Sequence, residues 1–157
     1  MNAENMGRAW CWILFFLIPC ILLGDNERKF EGDFWSRDNH VTLHLNLYDT
    51  VLVVPRFDFL GKMNGYMDGN IHETWFVTSF SIKNNNAVLS LSNELGSESQ
   101  DVIFSQVDSI HYKYETSGPN VVRKVENKKW VKLPSVMLFE RVHFGNKEAR
   151  KTSFRNK

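Results

Sequence analysis

Histidine is the side chain best suited to exchange a proton or bind a metal near neutral pH. Among the five in this chain, His40 and His44 have the spacing of a helical metal pair. On a strand they would stand about 13 Å apart, at about 3.3 Å per residue. Because a zinc–nitrogen bond is about 2 Å long, such a pair cannot share an ion. The strand-like alternation through His44 therefore predicts no metal site.

A second polar group, Asp68, His72 and Glu73, surrounds a Gly-Asn turn. In a hydrolase, His72 would be the general base and Asp68 would orient it. The alternative is a solvated hairpin loop. On a strand, His72 and Glu73 would point to opposite sides and could not act together. The chain has neither the Gly-x-Ser-x-Gly motif of serine hydrolases nor a glycine-rich phosphate loop. We therefore expect a protein that is not an enzyme, with no catalytic residue and no cofactor.

Both cysteines, Cys11 and Cys20, precede Asp25, so the body of the chain has none. A cysteine nucleophile, a redox pair and a structural disulfide are thereby excluded from the body. With 43% hydrophobic and 24% charged residues, the composition is that of a globular protein. A formal net charge of +1 gives no global indication of nucleic-acid binding.

The N-terminal region contains an uncharged apolar run from Ala9 to Leu23. A helix of that length would be about 22 Å long, against a hydrocarbon core of about 30 Å. Its aromatic residues would face all directions, so we interpret residues 1–24 as an export signal or short membrane anchor. Leu17-Ile18-Pro19-Cys20 has the outline of a lipoprotein cleavage box, in which Cys20 would carry lipid. Each alternative places the body outside the cytoplasm, membrane-associated, secreted or periplasmic.

Apolar and polar residues alternate through the body. Val41, Leu43, Leu45 and Leu47 fall on one face, and the same period recurs near residues 87–92 and 110–115. Turn residues separate these runs, and no long amphipathic helix follows residue 30. We predict an all-β fold over residues 25–144, either an antiparallel meander barrel or a sandwich. The predicted strands lie near 33–37, 41–48, 51–57, 63–67, 71–82, 87–92, 101–107, 109–115, 120–125, 129–133 and 136–144.

The segment Phe30-Glu31-Gly32-Asp33-Phe34-Trp35 resembles the opening of lipocalin-like (calycin) β-barrels. In that family an aromatic residue and an x-Gly-x-Trp or Phe sequence begin the first strand. The resemblance covers six residues and implies that Phe34 plugs one end of a barrel. Trp35 is one residue out of register with the usual tryptophan.

Aromatic residues are the candidates for a ligand lining or a partner surface. The predicted strand 71–82 has apolar residues on both sides, with Trp75 and Val77 on one and Phe76, Phe80 and Ile82 on the other. One side must be core, and the other is free to face a ligand, a partner or the membrane segment. A barrel packed with its own side chains is the alternative. The candidate residues are Phe34, Trp35, Trp75, Phe76, Phe80, Tyr112 and Tyr114.

The C-terminal residues 145–157 form a basic tail that we predict to be disordered, with five basic residues and one acidic residue. Such a tail can lie on anionic lipid, whereas its single aromatic residue gives little support for base stacking. We expect a non-enzymatic, exported or membrane-anchored β-barrel that binds a hydrophobic small molecule or an envelope protein. The alternatives are a structural or interaction subunit of a membrane complex, and a small hydrolase that uses His72.

Overall fold

A computed structural model describes residues 28–142 of the chain. The predictions for the leader, including Cys20, and for the basic tail lie outside these residues. The described part contains twelve strands and a one-turn 3-10 helix at Asp58–Leu60. The strands are β1 (Glu31–Ser36), β2 (Val41–Asn46), β3 (Leu52–Val53), β4 (Lys62–Met63), β5 (Gly65–Gly69), β6 (Trp75–Lys83), β7 (Asn86–Asn93), β8 (Ser99–Gln106), β9 (His111–Thr116), β10 (Arg123–Glu126), β11 (Lys129–Lys132) and β12 (Val136–Val142).

Eight strands form a closed antiparallel barrel in the order β1-β12-β9-β8-β7-β6-β5-β2. Strands that are adjacent in the barrel follow one another along the chain, apart from two inserted hairpins, β3–β4 and β10–β11. The last barrel strand returns to the first, where Phe34 pairs with Arg141. The all-β prediction is confirmed, and of the two architectures considered, the protein has the barrel. Within residues 28–142, no helix is long and apolar enough to cross a membrane.

The predicted alternation determines which side chains enter the barrel. Val41, Leu43, Leu45 and Leu47 are all buried, as predicted for one face of β2 and its continuation. The alternate residues of β7 are buried in the same way, at Ala87, Leu89 and Leu91. Since side chains in a strand point to alternate sides, this pattern fixes the register of each strand against the core.

Two predicted strands differ from the observed ones near Pro55 and Ile71. The predicted strand 51–57 is only two residues long, because Pro55 has no N–H to donate and Arg56 has a φ of 71°. The predicted strand 71–82 begins instead at Trp75. Residues 71–74 form a loop, in which the N–H of His72 donates to the carbonyl of Arg123.

A β-bulge in β6 corrects the predicted division of its two faces. The pairing with β7 shifts between Val77 and Ser79. An extra residue in a strand reverses the side to which the following side chains point. Phe80 and Ile82 therefore face the barrel interior with Trp75 and Val77, and only Phe76 of the apolar set faces outward.

Candidate functional site

A cluster of aromatic side chains packs together inside the barrel. Phe34 is fully buried, with its ring centroid 4.6 Å from that of Tyr112 and 5.1 Å from that of Phe104. Tyr112 stacks on Phe104 at 5.2 Å, and its hydroxyl donates to the carbonyl of Lys29. Burial raises the pKa of Tyr114, whose hydroxyl accepts a hydrogen bond from Asn120. Four predicted site residues, Phe34, Trp75, Tyr112 and Tyr114, thus belong to one packed core.

The other three predicted site residues are dispersed. Trp35 lies on the outer face of β1 against His40, with ring centroids 5.8 Å apart. Phe76 belongs to a small outer cluster with Val54 and Tyr66. Phe80 is 38% exposed near the end of β6. The structure therefore does not bring the seven residues together into one site.

A cleft of about 320 Å³ opens at the end of the barrel where β5 leads into β6. Three chain segments form it: the loop after β3, the β5–β6 loop and the β7–β8 turn. Its lining is mainly polar, with carboxylates from Asp68, Glu73 and Glu94. The remaining lining residues are Arg56, Phe57, Gly69, Ile71, His72 and Thr74.

His72 and Asp68 both border this cleft, but Asp68 does not orient His72. An oxygen of Asp68 lies 3.2 Å from the Nε2 atom of His44. The Nε2 atom of His72 lies 3.7 Å from Oε1 of Glu73, and its ring contacts Trp130 with centroids 4.1 Å apart. We expected His72 and Glu73 to diverge along a strand, and that expectation is wrong because both residues lie in a loop.

A charged cluster that the alternation of residues does not reveal is centred on His44. Its Nδ1 atom lies 2.6 Å from Asp33 Oδ1, its Nε2 atom faces Asp68, and its ring stacks on Tyr66 at 4.3 Å. Burial by itself lowers the pKa of His44, but hydrogen bonds to both carboxylates outweigh burial and raise it. When the ring is protonated, both ring nitrogens donate, one to each carboxylate. The cross-strand pairing Asp33↔His44 is the signal that could have located this cluster.

The cleft is bordered by two groups of exposed apolar residues. The first is the segment between β3 and β4, where Phe59 is 77% exposed and its ring lies 6.1 Å from that of Phe57, a cleft residue. The second is the β10–β11 hairpin, where Trp130 is 55% exposed and contacts His72. We call Phe59, Leu60 and Trp130 the rim surface. Exposed large apolar side chains around a cleft are typical of interaction sites.

Comparisons of this chain with protein-family models, with curated proteins and with solved structures found no match. Within residues 28–142 there is also no group of three or more His, Cys, Asp or Glu side chains placed to hold a metal ion. The candidate site is therefore defined by its own geometry, a polar cleft between two apolar borders.

Proposed function

We propose that this protein is a non-enzymatic, exported or membrane-anchored barrel that binds an envelope protein through the rim surface. The observation that carries the proposal is the distribution of its large apolar side chains. The fully buried ones pack together inside the barrel, whereas Phe59 and Trp130 project into solvent beside the cleft. Aromatic residues of this kind supply much of the free energy of protein–protein binding.

The anchoring of Phe57 supports the rim surface as a binding element. Its ring packs edge-on against Phe76 of β6, with centroids 5.2 Å apart. Phe57 thereby fixes the base of the segment whose tip carries Phe59 and Leu60. A surface held in one conformation before binding loses less conformational entropy when a partner binds.

We further propose that the barrel is related to the lipocalin-like family. Gly32 has a φ of 135° at the start of β1, and Phe34 lies inside the barrel as the resemblance implies. Arg141 of the last strand donates hydrogen bonds to the carbonyls of Arg28 and Glu31, across the entrance to β1. These contacts support the resemblance because they join the motif to the closing strand.

Native mass spectrometry of the full chain after gentle extraction tests the proposal. We expect a complex with a second protein of discrete mass, which is lost in a variant carrying Phe59→Ser and Trp130→Ala. Leu138→Ser is the matched control, because Leu138 is similarly exposed but lies on the barrel strand β12 and belongs to neither rim segment. A copurifying apolar small molecule with no protein partner would instead favour the hydrophobic-ligand alternative. A complex that survives the double substitution would contradict the role of the rim surface.

A further inference from the structure

The strand β6 has an open edge over its second half. Its ladder with β5 consists of two pairs only, Tyr66↔Phe76 and Met67↔Trp75. Its ladder with β7, by contrast, continues to Lys83↔Asn86. Within residues 28–142, no strand pairs with the β5 side of β6 from Thr78 to Lys83. The side chains of these six residues are exposed.

The geometry of the hairpin shows which backbone groups point to the open side. The β6–β7 turn consists of Asn84 and Asn85, and Lys83 and Asn86 are the pair that flanks it. In a hairpin with a two-residue turn, the flanking pair exchanges backbone hydrogen bonds, and such pairs alternate along the ladder. Lys83 and Ser81 therefore face β7. The N–H and C=O groups of Phe80 and Ile82 face the open edge.

Two apolar side chains at this edge are also partly exposed to solvent. Phe80 and Ile82 point to the interior side of the sheet, yet they are 38% and 40% exposed. The peptide groups of an unpaired strand and the apolar side chains beside them form a template for an added strand. Natural edges are often protected by charged residues, but here only Lys83 at the far end is charged.

The sequence of the edge is nearly symmetric about Ser81. Ser79 and Lys83 are polar, and Phe80 and Ile82 are apolar. If a second copy pairs antiparallel with Ser81 opposite Ser81, each Phe80 lies opposite an Ile82. Both residues of that pair direct their hydrogen-bonding groups at the partner, so the register satisfies the backbone on both copies. Each Lys83 then lies opposite a Ser79, and no like charges meet.

We infer that β6 is a self-association edge, through which two copies of this chain join their barrels into one continuous sheet about a twofold axis. The contact is isologous, because the same residues serve both copies. An edge of this length buries less surface than a standard interface of about 800 Å² per partner, so the dimer forms in a concentration-dependent manner. This inference is independent of the rim surface, because it involves a different strand edge.

A single cysteine at position 81 tests the register. Paired residues that do not exchange hydrogen bonds have Cα atoms about 4.5 Å apart, within the range of a disulfide. The full chain carrying Cys11→Ser, Cys20→Ser and Ser81→Cys is oxidised at several concentrations. We expect at least tenfold more disulfide-linked dimer than with the control Ser117→Cys in the same background. Ser117 is also exposed, but it lies on another loop. Adding Phe80→Lys, at a position already exposed, is expected to abolish the dimer because it places a charge at the contact.

Three outcomes would overturn the inference. Equal cross-linking from positions 81 and 117 would show random collision. A Ser81→Cys chain that stays monomeric, with its thiol protected from a soluble reagent, would place another segment of the same chain on the edge. Cross-linking of position 81 to a different protein would assign the edge to a different partner. Circular dichroism of every variant checks that the barrel is folded.

Discussion

His44 is the described histidine most constrained by its surroundings, and its charge is coupled to folding. Hydrogen bonds to Asp33 and Asp68 overcome the effect of burial and raise its pKa in the folded protein. A histidine with a raised folded pKa stabilises the native state fully below the unfolded pKa of about 6.5. That contribution is lost as the pH rises through the folded pKa.

We predict that His44→Gln lowers the free energy of unfolding more at a pH of about 5.5 than at about 9, on either side of the ordinary histidine pKa. Urea unfolding of both proteins at the two pH values measures the difference. The glutamine amide can still donate hydrogen bonds but carries no charge, so the change of the difference with pH reports the charge of His44. A difference that stays constant or grows with pH would show that His44 is not held as an imidazolium.

Gly69 is required where β5 meets β2. Its φ is +115°, and a Cβ there would lie 2.5 Å from the backbone oxygen of His40. We predict that Gly69→Ala destabilises the fold by about 2–4 kcal/mol, from overpacking and backbone strain together. Gly118→Ala is the control, because its Cβ would meet nothing within 4 Å. Denaturant unfolding measures both, and equal stability of the two variants would be evidence against this steric role.

At the scale of elements, one buried side chain holds the β7–β8 turn. The Oδ1 atom of Asn93 accepts hydrogen bonds from the N–H groups of Ser97 and Glu98 at 2.9 and 3.0 Å. Its Nδ2 atom donates to Glu73 at 2.6 Å, which links this turn to the β5–β6 loop. Both elements border the cleft, so Asn93 positions two of its sides.

We predict that Asn93→Ala costs about 2–4 kcal/mol, because several buried hydrogen bonds are lost together. Asn70→Ala, at an exposed position of the neighbouring loop, is expected to change stability by less than about 0.5 kcal/mol. Thermal and urea unfolding compare the two variants. Hydrogen exchange should also show faster opening of Ser97 and Glu98 in Asn93→Ala, and unchanged exchange there would contradict the proposed link.

The elements also show where sequence reasoning succeeds and where it ends. The period-two pattern of β2 and β7 located the buried face correctly, because burial of alternate residues produces an alternation of apolar and polar residues along the sequence. The bulge at Thr78 produces no recognisable sequence pattern, so the prediction placed Phe80 and Ile82 on the wrong face. The strand predicted to begin at residue 71 is wrong over residues 71–74, because the backbone of His72 pairs with Arg123, which is distant in sequence. The solvated loop considered as the alternative is what the structure has there.

The candidate site could be predicted only in part, for a related physical reason. Asp68, His72 and Glu73 were grouped by their proximity in sequence, and all three do border the cleft. Trp130 and Phe59 could not be assigned to the same region, because alternation does not distinguish an aromatic residue in a core from one on an exposed hairpin. For the same reason Tyr112 and Tyr114 were candidates for a site, although both pack in the core.

At the scale of the whole molecule, the barrel depends on the seam between its first and last strands. Arg141 crosses this seam and donates to the carbonyls of Arg28 and Glu31 at 2.9 and 2.7 Å. We predict that Arg141→Ala costs about 1.5–3 kcal/mol, the range for hydrogen bonds to charged groups. Hydrogen exchange of β1 and β12 should accelerate relative to β7 and β8. Uniform acceleration around the barrel would argue against local opening at this seam.

The most direct test asks whether the interior is occupied by the protein's own side chains or by a ligand. Nuclear Overhauser effects are measured between a ¹³C-labelled long-chain fatty acid and the aromatic protons of the full chain. Because Phe34, Phe104 and Tyr112 already contact one another inside the barrel, we predict no transfer from the fatty acid to their rings. Strong, saturable transfer to Phe104 and Tyr112 would show an interior ligand site and would contradict a barrel that binds through its outer surface.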